Sequence, residues 1–225
     1  HITIALRNSM LLNEVNSKNE EIERLSEISY QMNRTLDFDM IFNLIYSYLE
    51  ETYGFEGFGL SIVTPDRKNY ITERYKLPPS LSEIEQQLSG AEYPLDPESG
   101  GRVAECILLN KVFYFTDINP KNINDELNKN VVELLQIKTA LHIPIYVGEE
   151  TLGGFFLSSH TKTLHLTPDD LEAIKRFTNN IGGALRNSKL YEQIKSKKEE
   201  VEKLSAISNQ MNSSFDFDKI FEQIY

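Results

Sequence analysis

The chain has 225 residues, 40% of them hydrophobic and 10% aromatic, and 34 acidic side chains against 23 basic ones leave it at −11. That is enough apolar material for a core, and a charge that speaks against binding nucleic acid or an anionic membrane surface. A single cysteine, Cys106, excludes an internal disulfide and fits a reducing, cytoplasmic setting; no apolar run approaches the ~18 residues of a membrane span, and no leader pattern is visible.

The first segment repeats. "ALRNS" stands at 5–9 and again at 184–188, and residues 5–46 align without a gap to 184–225 with 25 identities in 42 positions. Such an offset marks duplication of a domain together with its connector. The expected organisation is an N-terminal connector over 1–35, a domain over 36–187, and a second connector with the start of a next domain over 188–225. The start at His1, without Met, fits a piece of a longer tandem array.

Within 11–36 the apolar residues Leu11, Val15, Ile22, Leu25, Ile28, Met32 and Leu36 fall three, four or seven apart. The second copy keeps the stripe with Leu190, Ile194, Val201, Leu204, Ile207, Met211 and Phe215, and both copies break it at Lys18 and Lys197. This spacing predicts long helices with a narrow seam, best buried in a parallel coiled-coil homodimer; the alternative is that the stripe packs on its own domain. "LDFDMIFNLIYSYLEETYG" (36–54) predicts an amphipathic helix capped by Asp37 and stopped by Gly54.

Residues 57–77 read as two strands around "TPDRKN", with Phe58, Leu60 and Ile62 alternating. A polar loop with a short helix follows, then a helix at "GRVAECILLNK", a strand at "VFYFTDI", a loop at "NPKNINDELNKN" and a helix at "VVELLQIKT". "ALHIPIYVGEETLGGFFLSS" predicts a hairpin, and "LTPDDLEAIKRF…" a helix that runs on into the second connector. The class is α+β, an antiparallel sheet with helices packed on it.

"SGGRVAECILLNKVFYFTDI" together with the closing hairpin and final helix resembles the GAF domains, over about 36–187. The resemblance implies a six-stranded antiparallel sheet with helices on both faces, a ligand pocket on one face, parallel dimerisation, and signalling to an effector, as in cyclases, phosphodiesterases and sensor kinases. Candidate pocket residues on this basis are Phe58, Leu60, Ser99, Gly100, Arg102, Asp117, Ile137, His142, Phe156 and Ser158, under lids formed by 78–99 and 117–130.

The ligand is left open. Set against the family's cyclic-nucleotide signature, Ser159 and His160 stand at its Asn-Lys pair, Leu166 and Leu171 at its Phe and Glu, and only Asp170 agrees. Thr167, Pro168 and Asp170 also make a helix start that needs no ligand. Apolar Ile137 and Phe156 would leave ring nitrogens unpaired, so the signature argues against a cyclic nucleotide. "NINDELNKNVVEL" lacks the cysteine that tethers a bilin, so no bilin is expected. Ser99, Gly100 and Gly101 with Arg102 open a helix and are the best place for an anion, and the favoured alternative is that Ser99 caps the helix while the glycines permit a tight turn. His142, His160 and His165 lack metal-ligand spacing, Cys106 reads as core, and no catalytic arrangement emerges, so the chain reads as non-enzymatic. Two functions remain: a ligand-sensing regulatory module and a ligand-free dimerisation spacer.

Overall fold

The computed structural model describes residues 2–123 and 126–214. Phe215 and the second "DFDKIFEQIY" lie outside the described residues, as do the side chains of Lys18 and Met211.

Helix α1 runs Ile2–Arg34 and α2 Phe38–Tyr53. The break between them is made locally: the Asp37 side chain accepts from the Met40 amide at 2.9 Å. Gly54, with φ of 81°, closes α2 in the left-handed conformation that a side chain would oppose. Strands β1 (Gly57–Val63) and β2 (Asn69–Lys76) form the first hairpin. A 3₁₀ turn at Pro79–Leu81, α3 (Ser82–Leu88) and β3 (Glu92–Pro94) occupy the polar stretch. Then come α4 (Gly101–Leu109), β4 (Phe113–Phe115), a 3₁₀ turn at Pro120–Asn122 and α5 (Glu126–Leu135). The region 119–130, read as loop from its polarity, is thus helical from Glu126 onward. Strands β5 (Thr139–Val147) and β6 (Glu150–Ser159) form the closing hairpin, and α6 spans Pro168–Ser214 without a break.

The six strands form one antiparallel sheet in the order β3-β2-β1-β6-β5-β4. Because side chains alternate along a strand, each central strand feeds two layers. Phe58, Leu60, Leu141, Ile143, Phe155 and Leu157 point to one side, into a core with Ile41 and Ile45 of α2 and Ile174, Phe177 and Ile181 of α6. Gly182 lets α6 lie close on β5, since a Cβ there would stand 2.1 Å from the Tyr146 carbonyl oxygen. Helices α3, α4 and α5 cover the other side through two smaller clusters, around Phe156 and around Tyr70.

The connector stripe divides. Met32 is buried and Leu25 and Ile28 pack partly against the main core, as the own-domain alternative expects for this stretch. Leu11, Val15 and Ile22 on α1, and Leu190, Ile194, Val201, Leu204 and Ile207 on α6, are exposed.

Candidate functional site

The layer under α3, α4 and α5 does not close completely. A cavity of about 110 Å³ remains, with Ser61, Thr72, His142 and Phe156 contributed by the sheet, and Arg102, Asn128 and Leu135 by the helices. On β1 Ser61 stands between the bulky Leu60 and Ile62 that serve the opposite core, while the Tyr75 ring fills the space over Gly59 and the Ser158 and His160 side chains fill that over Gly57. A β-bulge lets Ser61 pair with Thr72 while Leu60 pairs with Arg74, so Glu73 is passed over and Tyr75 reaches the cavity wall. The Ser61 and Thr72 hydroxyls lie 3.3 Å apart within hydrogen-bonding distance on the cavity floor.

His142 is the polar group at the centre of this surface. It is 7% exposed, its ring lies 4.8 Å from that of Phe156, and among the described residues its buried Nδ1 meets no hydrogen-bond partner. Burial, reinforced by the nearby Arg102 charge, holds its pKa down at about 3, so the imidazole is neutral at physiological pH. An unpaired buried polar atom costs about 1–3 kcal/mol, a cost that a ligand could remove. The Tyr75 phenol is kept protonated by burial, as is that of Tyr70, whose hydroxyl donates to the Gly100 carbonyl at 2.8 Å.

Of the residues expected from the sequence, Gly100, Arg102, His142 and Phe156 line the cavity. Phe58 and Leu60 do not: they stand on the other face of β1, both fully buried in the main core, because strand alternation sends them away from Ser61. Ser158 is buried on the cavity side of the sheet, but its hydroxyl is engaged by His160 Nε2 at 3.0 Å and it stops short of the cavity. Ile137 packs beside Leu135 and Phe156 without reaching it. Asp117 is exposed. Ser99 is exposed too, and it is not the cap of α4: its amide and hydroxyl both donate to the Asp96 carboxylate. The sequence missed Ser61, Thr72, Tyr75 and Asn128; the Gly-x-Gly-x-Ser interleaving on β1 was the available signal.

The anion site expected at the start of α4 is not assembled. The Gly100 amide donates to the Asp96 carbonyl at 2.7 Å and the Arg102 amide to Asn128 Oδ1 at 3.2 Å. The Arg102 guanidinium is paired with Glu105 and lies over the rings of Phe113 and Phe115, 5.0 and 5.4 Å from their centroids.

The signature positions carry structural bonds. His160 Nδ1 contacts the Leu135 carbonyl at 2.6 Å, and its amide donates to Glu56 at 2.6 Å. Asp170 accepts from the Thr167 amide at 2.8 Å while its own amide donates to the Thr167 hydroxyl, a reciprocal capping box. Burial pushes the Cys106 thiol up to about 12, so it stays protonated.

The family model for the GAF domain matches residues 35–186. The chain belongs to the GAF domain family. No match is found among curated proteins. Among solved structures, this GAF domain is similar to residues 122 to 287 of a methyl-accepting chemotaxis protein, with 20% identity, TM-score 0.58, and coverage of 73% of this chain and 98% of that one. It is similar to the GAF domain of a two-component sensor histidine kinase from Bacillus halodurans, with 15% identity, TM-score 0.54, and coverage of 70% and 99%. A third, a far-red absorbing dark state with bound biliverdin IXa, shares 14% identity at TM-score 0.56 over 74% and 99%.

That last structure corrects the expectation of no bilin. The missing cysteine in 122–134 bears only on a covalent tether, whereas a GAF fold like this one holds biliverdin in a relative.

Proposed function

We propose that the chain is a regulatory, ligand-sensing GAF module that dimerises in parallel through its connector helices and relays cavity occupancy to an effector domain in the same protein. The observation that carries this reading is the continuity of α6. Its first half contributes Ile174, Phe177, Ile181 and Leu185 to the core, and the same unbroken helix then presents exposed Leu190, Ile194, Val201, Leu204 and Ile207 at seam spacing. A shift of the domain end is therefore transmitted to the seam, and two seam registers biased by a ligand would supply the coupling. The repeat supports a tandem arrangement, with a domain over 36–187 between connectors at 1–35 and 188–225 and a following GAF domain. The chemotaxis protein and the sensor kinase among its structural relatives support a signalling setting. Our reading is non-catalytic and cytoplasmic, with no nucleic-acid or membrane contact by this part. The protonated Cys106 and the unpaired His142 form no nucleophile–base pair.

Sedimentation equilibrium tests the dimer, with Ile194→Asp expected to dissociate it. A thermal-shift panel of metabolites that includes biliverdin tests the sensing. A ligand at a hundred times its Kd should add about 2.7 kcal/mol, a shift of a few degrees. A monomer at all concentrations removes the dimer; a dimer that no compound stabilises leaves the ligand-free spacer.

A further inference from the structure

We propose, building on the ligand-sensing reading, that the cavity takes a neutral single-ring molecule of about the size of phenol, its polar atom paired with Nδ1 of His142. Size sets the first limit. An apolar cavity of roughly 150 Å³ holds benzene, and this one is about 110 Å³. A single six-membered ring with one small substituent is therefore the upper limit, and a fused or branched ligand requires the walls to move.

Chemistry sets the second. Leu88, Val103, Val131 and Leu134 supply apolar wall, and the Phe156 ring, 5.9 Å from that of Tyr75, offers a face on which another ring can pack. No carboxylate lines the cavity among the described residues, so a cationic ligand has no partner. Its one cation, Arg102, already has Glu105 and two aromatic faces, so an anion would compete with an existing ion pair. Burial also keeps His142 and Tyr75 uncharged. Among the buried side-chain polar atoms of this lining, Nδ1 of His142 is the one without a hydrogen-bond partner among the described residues. A hydroxyl suits either imidazole tautomer, since it both donates and accepts.

The test is a titration of the full chain with phenol, benzene and benzoate into the millimolar range, read by calorimetry. Phenol is expected to bind about tenfold tighter than benzene, one hydrogen bond's worth, with benzoate weakest. In His142→Phe the phenol-to-benzene ratio should fall to about one. If that variant fails to fold, the ¹⁵N resonance of Nδ1 in the native chain serves instead, and it should move on adding phenol but not benzene. Benzoate binding tightest, or a ratio that survives His142→Phe, overturns the proposal. Silence to all three rings while a larger panel compound stabilises the fold overturns it and leaves ligand sensing standing; silence to everything overturns both.

Discussion

The two faces of the sheet are made by the same strands and have opposite character. Toward α1, α2 and α6 the side chains are large and tightly stacked: Phe58 lies 4.7 Å from Phe42 and 5.1 Å from Phe155 between ring centroids. Toward α3, α4 and α5 the alternate positions are Gly57, Gly59 and Ser61 on β1, Ala140 and His142 on β5, and Gly154, Phe156 and Ser158 on β6. Around Phe58 the first face is filled; the second keeps a cavity of about 110 Å³ beside Ser61 and His142. Stability is concentrated on the first, which allows the second to carry a polar group that packing alone would not tolerate.

Truncation should expose that asymmetry most strongly. Phe58→Ala removes a ring at the centre of the filled face and is expected to cost about 3–5 kcal/mol in denaturant unfolding, with an unchanged slope. A loss below about 1 kcal/mol would mean that the filled face can collapse around a hole, and the contrast between faces would go with it.

Acid should find the other face. His142 has a folded pKa of about 3, below its ordinary value of 6.5, because it is buried and near Arg102. Between those values the unfolded chain binds a proton that the folded chain does not, so stability is full above pH 6.5 and falls as pH drops toward 3. The slope from this group approaches about 1.4 kcal/mol per pH unit at most. Glu56 adds a separate loss at lower pH: burial raises its pKa, but donation from the Thr161 hydroxyl and from the Thr161 and His160 amides outweighs this and holds it below 4.5. In His142→Phe the slope between pH 6.5 and about 5 should disappear while the lower limb stays. An unaltered slope would show that His142 is solvated. The same variant should gain roughly 1–3 kcal/mol at neutral pH, since it replaces an unpaired buried polar atom by apolar surface.

Local chemistry made much of the fold readable. Asp37 and Gly54 bracket α2, and Thr167 with Asp170 opens α6, because caps are written within four residues of the ends they serve. The site was harder to read. Alternation along β1 shows that Phe58 and Leu60 share a face, but with helices on both sides it cannot say which face holds the cavity, and the structure sends them to the main core. The bulge that passes over Glu73 shifts the parity of β2 and brings Tyr75 inward, a change no period-two pattern contains. The first turn of α5 reads as loop because Glu126 and Asn130 face solvent, so its polarity reports exposure rather than backbone conformation.

The smallest effect concerns where the filled face ends. Ile28 and Ile207 occupy equivalent places in the two copies of the repeat, yet Ile28 packs against the main core whereas Ile207 is 54% exposed. Ile28→Ala should therefore lower Tm by the same amount at every protein concentration, since its partners lie within the chain. Ile207→Ala should stay within about 0.5 kcal/mol in dilute solution, as exposed substitutions do. Under the proposed dimer it should cost more at concentrations where the α6 seam is occupied, because association stabilises by mass action whatever it buries. A cost at Ile207 that does not vary with concentration would place its partner within the same chain, and the division of α1 into a packed half and a bare half would then describe one monomer rather than the edge of a dimer.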